Sequence, residues 1–345
     1  MRKRIVLLSA AMMLSLHSGT FWGESLFAQA HPPDGAAAAP HSTDTLWTQT
    51  DWLRLEIVGG RIVLESARCG QHCLAVDSAA AGEARQSLKL CAQPGSLVAH
   101  YELHDERGQL TLSLERNKLV LSLRPSGTKQ PAEICFTQPP RGDVTLEIRG
   151  KTPQTWTAAD IWHLAILEPE IAERHLFPLL AQLRPNWRVG EQADQVAAAL
   201  LARAGRDVLS ERRAWRAAVE GLAAESFAQR QAADRQLRAA GQGVLAFLRS
   251  LDCESLDTEQ RGRIQRILAD NAHAGPDSPA RVAAWMLDDK RVWLALLGRG
   301  ELPQRIAAAE HLSQLCGRSL SFDPQASADQ RQAQLAELRL KLAEN

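Results

Sequence analysis

The residues of this chain that can do chemistry are its cysteines, a few histidines near carboxylates, and arginines set into helical stripes. Cys69, Cys73, Cys91 and Cys135 fall within one stretch, with Cys253 and Cys316 far downstream. A metal site would draw on Cys69, His72, Cys73 and Cys91, because Cys-x3-Cys lies within the looser zinc spacings. No second close cysteine pair supports it, and in an oxidising compartment disulfide bridging is the default for such a set. Four cysteines allow three pairings, and spacing alone does not choose among them. Cys253 and Cys316 read as small apolar packers or free thiols.

His163 and His175 stand near Asp160 and Glu173, but without the His-Glu-x-x-His spacing that sets two imidazoles and a base on one helix face. Packing or surface roles are expected for them. Arg141-Gly142-Asp143 is a tripeptide that adhesion receptors read, yet here it follows Pro139-Pro140 and precedes a strand pattern, which a turn already explains. The run Cys73-Leu74-Ala75-Val76-Asp77 followed by Leu88-Lys89-Leu90-Cys91 resembles a carbohydrate-binding β-trefoil repeat, without the Gln-x-Trp that normally follows and without two further copies. No nucleophile elbow, phosphate-binding loop or dinucleotide fingerprint occurs. The sequence therefore assigns no catalytic, cofactor-binding or metal residue, and no cofactor is expected.

Arg230 is the polar residue that stands out. It shares a helical stripe with Phe227, Ala233, Leu237 and Ala240, spaced by three or four as one helix face requires. In a groove it would contact a ligand. The structural alternative lays its methylenes on the core and gives the guanidinium to Asp234 or to neighbouring carbonyls. Arg238 is expected on the exposed side of the same helix.

The elements that position these residues follow two grammars. From Trp47 to about 150 apolar residues alternate: Leu53, Leu55 and Ile57, a Gly59-Gly60 turn, then Ile62 and Leu64. Paired glycines permit the positive φ of the primed hairpin turns. Leu110, Leu112 and Leu114 lead to a second turn at Arg116-Asn117, and Leu119, Leu121 and Leu123 return. With shorter candidates around 72–76, 87–91, 97–103, 133–137 and 143–149, about nine strands imply an antiparallel sandwich or open barrel. A junction is expected near 150–155. From Ala158 the period is helical, with Pro169 opening a helix at its first position and Pro178 interrupting the next. Ser226 with Gln229, Asp257 with Gln260 and Ser327 with Gln330 have capping-box spacing, and Gly241, Gly243, Gly298, Gly300 and Gly317 are expected to act as stops. Trp162, Trp187, Trp215, Trp285 and Trp293 fall on helical stripes and are expected in the core.

The run Phe227-x-x-Arg230-x-Ala232-Ala233-x3-Leu237-x3-Gly241, with Arg261-x-Arg263-Ile264 beyond it, resembles a HEAT/armadillo-like unit of exported planctomycete-type proteins. The tail from Arg305-Ile306 through Glu310, Leu312 and Gly317 to Phe322-Asp323-Pro324 is similar to a companion segment of such proteins. The resemblance covers about residues 210–345. It implies a helical interaction scaffold and supplies no catalytic residue.

The chain opens Met1-Arg2-Lys3-Arg4, runs apolar from Ile5 to Leu16, and offers Ala28-Gln29-Ala30 as a small-x-small cleavage site. That is the composition of a secretory signal peptide, and the apolar run is shorter than the roughly 20 residues a bilayer requires. Cleavage after Ala30 would remove Arg2, Lys3, Arg4 and Glu24, so the formal net charge of zero becomes about −2. A charge of that sign gives no attraction to nucleic acid or anionic membranes. The expected organisation is a multidomain α+β protein: signal peptide 1–30, flexible linker 31–46, antiparallel β-sandwich-like domain 47–150, and an all-α HEAT/armadillo-like array 151–345. The expected function is a non-catalytic exported scaffold or protein-binding protein of the bacterial cell envelope, its partner another envelope protein, with no membrane insertion after cleavage. The alternatives are carbohydrate binding through the β domain and an enzyme with a site between the domains.

Overall fold

The computed structural model describes residues 4–8, 46, 53–66, 72–78, 84–93, 96–127, 132–184, 186–204, 208–249, 251–252, 255–272 and 276–343. Cys69, Cys253 and the expected linker up to residue 45 lie outside these. The described residues divide into two compact units that interleave along the chain. The first draws on Met1–Glu56, Ile62–Ala159 and Arg174–Trp187, the second on Ile57–Arg61, Asp160–Glu173 and Arg188–Asn345.

The first unit is built on an antiparallel sheet. Strands β1 (Arg4–Leu8), β4 (His72–Ser78), β5 (Arg85–Gln93), β6 (Ser96–Asp105), β7 (Gly108–Glu115), β8 (Lys118–Pro125), β9 (Glu133–Gln138), β10 (Val144–Arg149) and β11 (Gln154–Ala158) form one sheet in that spatial order. Strands β2 (Leu53–Val58) and β3 (Arg61–Ser66) form a separate hairpin. The architecture expected as a sandwich is thus one nine-stranded sheet, an eight-stranded meander from β4 to β11 with β1 beside β4, plus a hairpin. The alternation of the sequence becomes one buried row across the sheet: Leu88, Tyr101, Leu112, Leu121, Phe136 and Leu146 sit opposite one another from strand to strand. All six are fully buried. Such direct cross-strand pairs are the stabilising unit of a sheet.

Two polar contacts attach further elements within this unit. The Gln138 amide accepts from Ile62 N at 2.8 Å and donates to Ile62 O at 2.9 Å, acting as a one-residue strand partner for β3. Arg184 donates to the Leu55 carbonyl from the end of α3 (Phe177–Leu183), whose Leu179, Leu180 and Leu183 are fully buried. The junction expected near 150–155 is the turn of the β10–β11 hairpin, with Val144 opposite Ala158. β11 escaped the sequence pattern because its run Gln-Thr-Trp-Thr-Ala carries a single large apolar residue.

In the second unit α1 (Ile161–Leu167) and α2 (Pro169–Ile171) come first. A π-helical turn, Ala172–Leu176, then runs into Pro178 at the second position of α3, so the expected break at that proline takes the form of a widened turn. There follow α4 (Val189–Leu201), α5 (Val208–Gly221), α6 (Phe227–Ala239), α7 (Gln242–Arg249), α8 (Thr258–Ala272), α9 (Pro279–Met286), α10 (Lys290–Leu297), α11 (Leu302–Cys316) and α12 (Ala328–Ala343). Sequence neighbours α5–α6, α7–α8 and α10–α11 pack on one another, but so do α4–α9, α7–α9 and α1–α10. A one-dimensional stack makes only nearest-neighbour contacts, so the described helices close on themselves more than a simple solenoid does. Trp215, Leu222, Leu237, Val244, Leu248 and Ile267 belong to one core shared by α5, α6, α7 and α8. Asp257 and Gln260 form the expected capping box, with both backbone amides bonded at 2.9 and 2.7 Å.

Candidate functional site

Three polar constructions in the helical unit hold the ionisable groups, and each starts from a helix end. Asp277, two residues before α9, is the first. Its side chain is 1% exposed and takes four donors. Oδ1 accepts from Gly59 N at 2.8 Å and Arg281 Nη2 at 2.8 Å, and Oδ2 accepts from Gly60 N at 2.7 Å and Trp162 Nε1 at 2.7 Å. Asp277 N in turn donates to Ile57 O at 3.0 Å. The sequence permits this because Gly59 and Gly60 both adopt positive φ, +61° and +70°, and turn two consecutive amides toward one carboxylate. A side chain at Gly60 has no room: its Cβ would lie 2.5 Å from Asp160 Cγ. A carboxylate with four donors has no lone pair left for chemistry and acts as a structural anion.

The second construction is a histidine between two helix caps. Asp160 caps α1, accepting from His163 N at 2.9 Å, and its other oxygen stands 2.8 Å from His163 Nδ1. Across the ring, Nε2 lies 3.4 Å from Oδ2 of Asp289, which caps α10 by accepting from Arg291 N at 2.7 Å. Burial alone disfavours the imidazolium, but Asp160 and Asp289 outweigh it and push the pKa up to about 10. Burial likewise disfavours the Asp289 carboxylate, and the His163 charge reverses that, so its pKa falls. A general base needs an unprotonated nitrogen near neutral pH. This ring is held charged and ties α1 to α10.

The third construction is a cleft of about 460 Å³ between α5 and α9, reached also by the end of α4 and the α6–α7 turn. Volumes of roughly 300–1,000 Å³ are the usual range for small-ligand sites. Its surface is small where α9 presents Ala280 and Ala284 and where Ala240 and Gly243 join the two helices. Among the described residues Trp215 supplies the aromatic side of the cleft, braced by Phe247 at 5.8 Å between ring centroids. Among the described residues, the charged ones lining the cleft are Arg203, Glu211, Arg281 and Asp288. Arg281 is held by Asp277, and Arg203 donates to Ala280 O at 2.6 Å. Asp288 accepts from Arg212 Nε at 2.8 Å through Oδ2, while its Oδ1 is buried with no hydrogen-bond partner. The loop that carries Asp288 and Asp289 is fixed from behind, because Trp293 Nε1 lies 2.7 Å and His311 Nε2 3.0 Å from the Leu287 carbonyl.

The residues singled out in the sequence fall as follows. Cys73 and Cys91 face each other across β4 and β5 and form a disulfide, which selects one bridge from the open set. Cys135 is a buried free thiol on β9, and Cys316 is free and half-buried. Among the described residues no group of three or more His, Cys, Asp or Glu side chains could hold a metal ion. Arg141, Gly142 and Asp143 form an exposed turn between β9 and β10. Trp162, Trp215, Trp285 and Trp293 are buried as expected, and Trp187 is half-buried with the Arg184 guanidinium 5.9 Å from its ring.

For Arg230 the structure takes the second of the two expected partners, the neighbouring carbonyls. It donates to Ala224 O at 2.8 Å and Glu225 O at 2.7 Å, so it closes the carbonyl end beyond α5, while Asp234 accepts from Arg238 at 2.7 Å. Arg238, expected on the exposed side, also reaches Asp270 on α8 at 2.6 Å. Phe227, expected inward, is 61% exposed and lies under the Arg230 guanidinium at 5.8 Å. Ser226 opens α6 without a side-chain cap bond.

Among the described residues no helix is long and apolar enough to cross a membrane. Compared with protein families, with curated proteins and with solved structures, the chain matches none.

Proposed function

We propose that this chain is an exported, non-catalytic binding or scaffold protein of the bacterial cell envelope, acting on another envelope protein through its helical unit. The observation that carries the reading is the use made of the ionisable groups there. Asp277 and the Asp160–His163–Asp289 group are spent on fixing helix ends, and next to the Arg281 arm of that framework stands a cleft with an aromatic wall and an unpartnered buried acceptor. A rigid frame around an open cleft suits recognition. The helical hairpins α5–α6, α7–α8 and α10–α11 support a HEAT-like origin for the array, as the resemblance over about 210–345 implies.

Export is supported by the basic start, the apolar run and Ala28-Gln29-Ala30, and the Cys73–Cys91 bridge suits an oxidising compartment. Cleavage after Ala30 would remove β1 and leave β4 as the sheet edge, and the bridge staples that strand to β5. Carbohydrate binding by the sheet gains no support from Tyr101 and Phe136, whose rings lie in the buried row.

The test is recovery of cross-linked complexes from the envelope of cells expressing a tagged full-length chain. The tagged protein should be recovered from the envelope fraction beginning at His31, joined to a partner in fixed proportion. Recovery in the cytoplasm with Met1 intact, or no reproducible cross-link, would refute the proposal.

A further inference from the structure

We infer that the β4 edge of the sheet, once β1 is removed, is a strand-acceptor site, and that it takes an extended segment of a partner polypeptide with apolar residues at alternate positions and a cation opposite Asp77. This rests on the reading of the chain as exported and cut after Ala30, and adds to the helical unit a second contact surface on the sheet. Cys73 and Cys91 stand 4.2 Å apart between Cα atoms, the spacing of a non-hydrogen-bonded antiparallel pair. Backbone groups at such positions point away from the paired strand, so the N–H and C=O of Cys73, Ala75 and Asp77 face the other side of β4. In the full chain β1 lies there, with Leu8 opposite Cys73, Val6 opposite Ala75 and Arg4 opposite Asp77. Without β1 these groups form the row of donors and acceptors on which another strand adds. β4 carries none of the lysines or prolines that blunt sheet edges. The Cys73–Cys91 bridge holds it to β5, so the acceptor is in place before its occupant arrives.

The register of β1 gives the chemistry of the occupant. Ile5 stands opposite Val76 and Leu7 opposite Leu74, and Val76 is in turn opposite Leu88 at the end of the buried row. Leu74 and Val76 are buried, so apolar residues across from them extend that row by one strand. Asp77 is exposed and alternates to the other face, at the position that Arg4 stands across from. Opposite charges directly across a strand pair stabilise it, and like charges oppose it. A second copy does not meet this demand. Two β4 edges paired about Ala75 set Leu74 opposite Val76 but place Cys73, not a cation, opposite Asp77. β11, the far edge of the sheet, has no lysine or arginine. The run Arg-Ile-Val-Leu recurs at 61–64 in β3, but β3 is no donor, because Gln138 closes the Ile62 N–H and C=O, and Ile62 and Leu64 are buried. The strand comes from another polypeptide.

The probe is a fluorescein-labelled peptide of residues 4–9, titrated with the full chain and with a chain beginning at His31 while its anisotropy is followed. The expected result is saturable 1:1 binding to the chain beginning at His31, and binding at least about tenfold weaker to the full chain, whose own β1 occupies the edge. Ala75→Pro removes an N–H that points to the open edge and none that bonds β5, so the sheet keeps its ladder and peptide binding is lost. Asp77→Lys should weaken the peptide about fivefold or more, yet bind a peptide carrying Arg4→Glu more tightly than wild type does. A folding defect would not produce that exchange. No saturable change up to about 0.3 mM chain, equal binding by the full chain, or affinity unchanged in both variants overturns the inference. A chain beginning at His31 that sediments as a dimer, and that Ala75→Pro returns to monomer, assigns the edge to a second copy and likewise overturns it. Recovery of the cellular chain with Met1 intact would overturn the export reading, while the peptide titration decides the edge by itself.

Discussion

Replacing Asp277 by asparagine keeps the shape of the side chain and turns one acceptor oxygen into a donor. Each oxygen of Asp277 takes two donors, so either orientation of the amide leaves two N–H groups facing an NH2. One orientation strands Gly59 N and Arg281, the other Gly60 N and Trp162. Charge-assisted bonds contribute roughly 1.5–3 kcal/mol each, and removal of one partner from a buried pair typically costs about 3–5 kcal/mol. With the side chain 1% exposed, water offers no substitute, and the expected loss is about 3–5 kcal/mol. Trp162→Phe removes only the indole donor and keeps most of the ring packing, so about 1–2 kcal/mol is expected. Because the two residues share one bond, the Trp162→Phe change should cost clearly less in the Asp277→Asn background, by at least about 0.5 kcal/mol. Urea unfolding followed by far-ultraviolet circular dichroism measures all four proteins. An Asp277→Asn loss below about 1 kcal/mol, the ordinary size for a point substitution, would refute the assignment of Asp277 as the node of this framework.

Arg230→Ala should cost about 1–3 kcal/mol by releasing the Ala224 and Glu225 carbonyls, whereas Arg238→Ala, on a half-exposed pair network, should cost less than about 1 kcal/mol. The same unfolding curves rank them, and an inverted order would contradict the geometry. The raised pKa of His163 means that its contribution to stability is complete below pH 6.5 and is lost as pH rises toward about 10. Wild type should therefore weaken across that window, and His163→Gln should flatten the curve; parallel profiles would show that the imidazolium is no tie. Reduction of Cys73–Cys91, which closes 18 residues, should lower the stability of the sheet by roughly 2–3 kcal/mol, more in a chain beginning at His31 than in the full chain, because β4 is then the edge. Equal effects in both chains would mean that β1 gives β4 no support.

What was legible in the sequence was whatever local geometry enforces. The hairpins at Gly59-Gly60 and Arg116-Asn117 are where alternation and positive-φ turns place them, with Arg116 and Asn117 at φ of +48° and +61°. Pro169, Asp257, Gly241 and Gly317 mark helix ends as their chemistry demands. The Arg230 pairing stayed open between Asp234 and neighbouring carbonyls, although the rule that decides it is local: a carboxylate four residues before a cation fits the helix dipole better than the reverse order. Asp234 accordingly takes Arg238 ahead of it, and Arg230 turns back to the free carbonyls after α5. Phe227 kept its stripe position but stands at the first residue of α6, where the helix has not yet met its core. Asp277 and its partners Gly59 and Gly60 are more than two hundred residues apart, beyond any periodic pattern. The cleft is composed of one or two residues from each of several helices, so it has no motif of its own.

The central claim, recognition without chemistry, is tested most directly by incubating the cross-linked partner, once purified, with the chain beginning at His31. Two quantities are then followed: the binding isotherm, and the intact masses of both proteins over many hours. A saturating isotherm with unchanged masses is the predicted result. A mass change in the partner that accumulates beyond one equivalent per chain would show turnover and contradict the account.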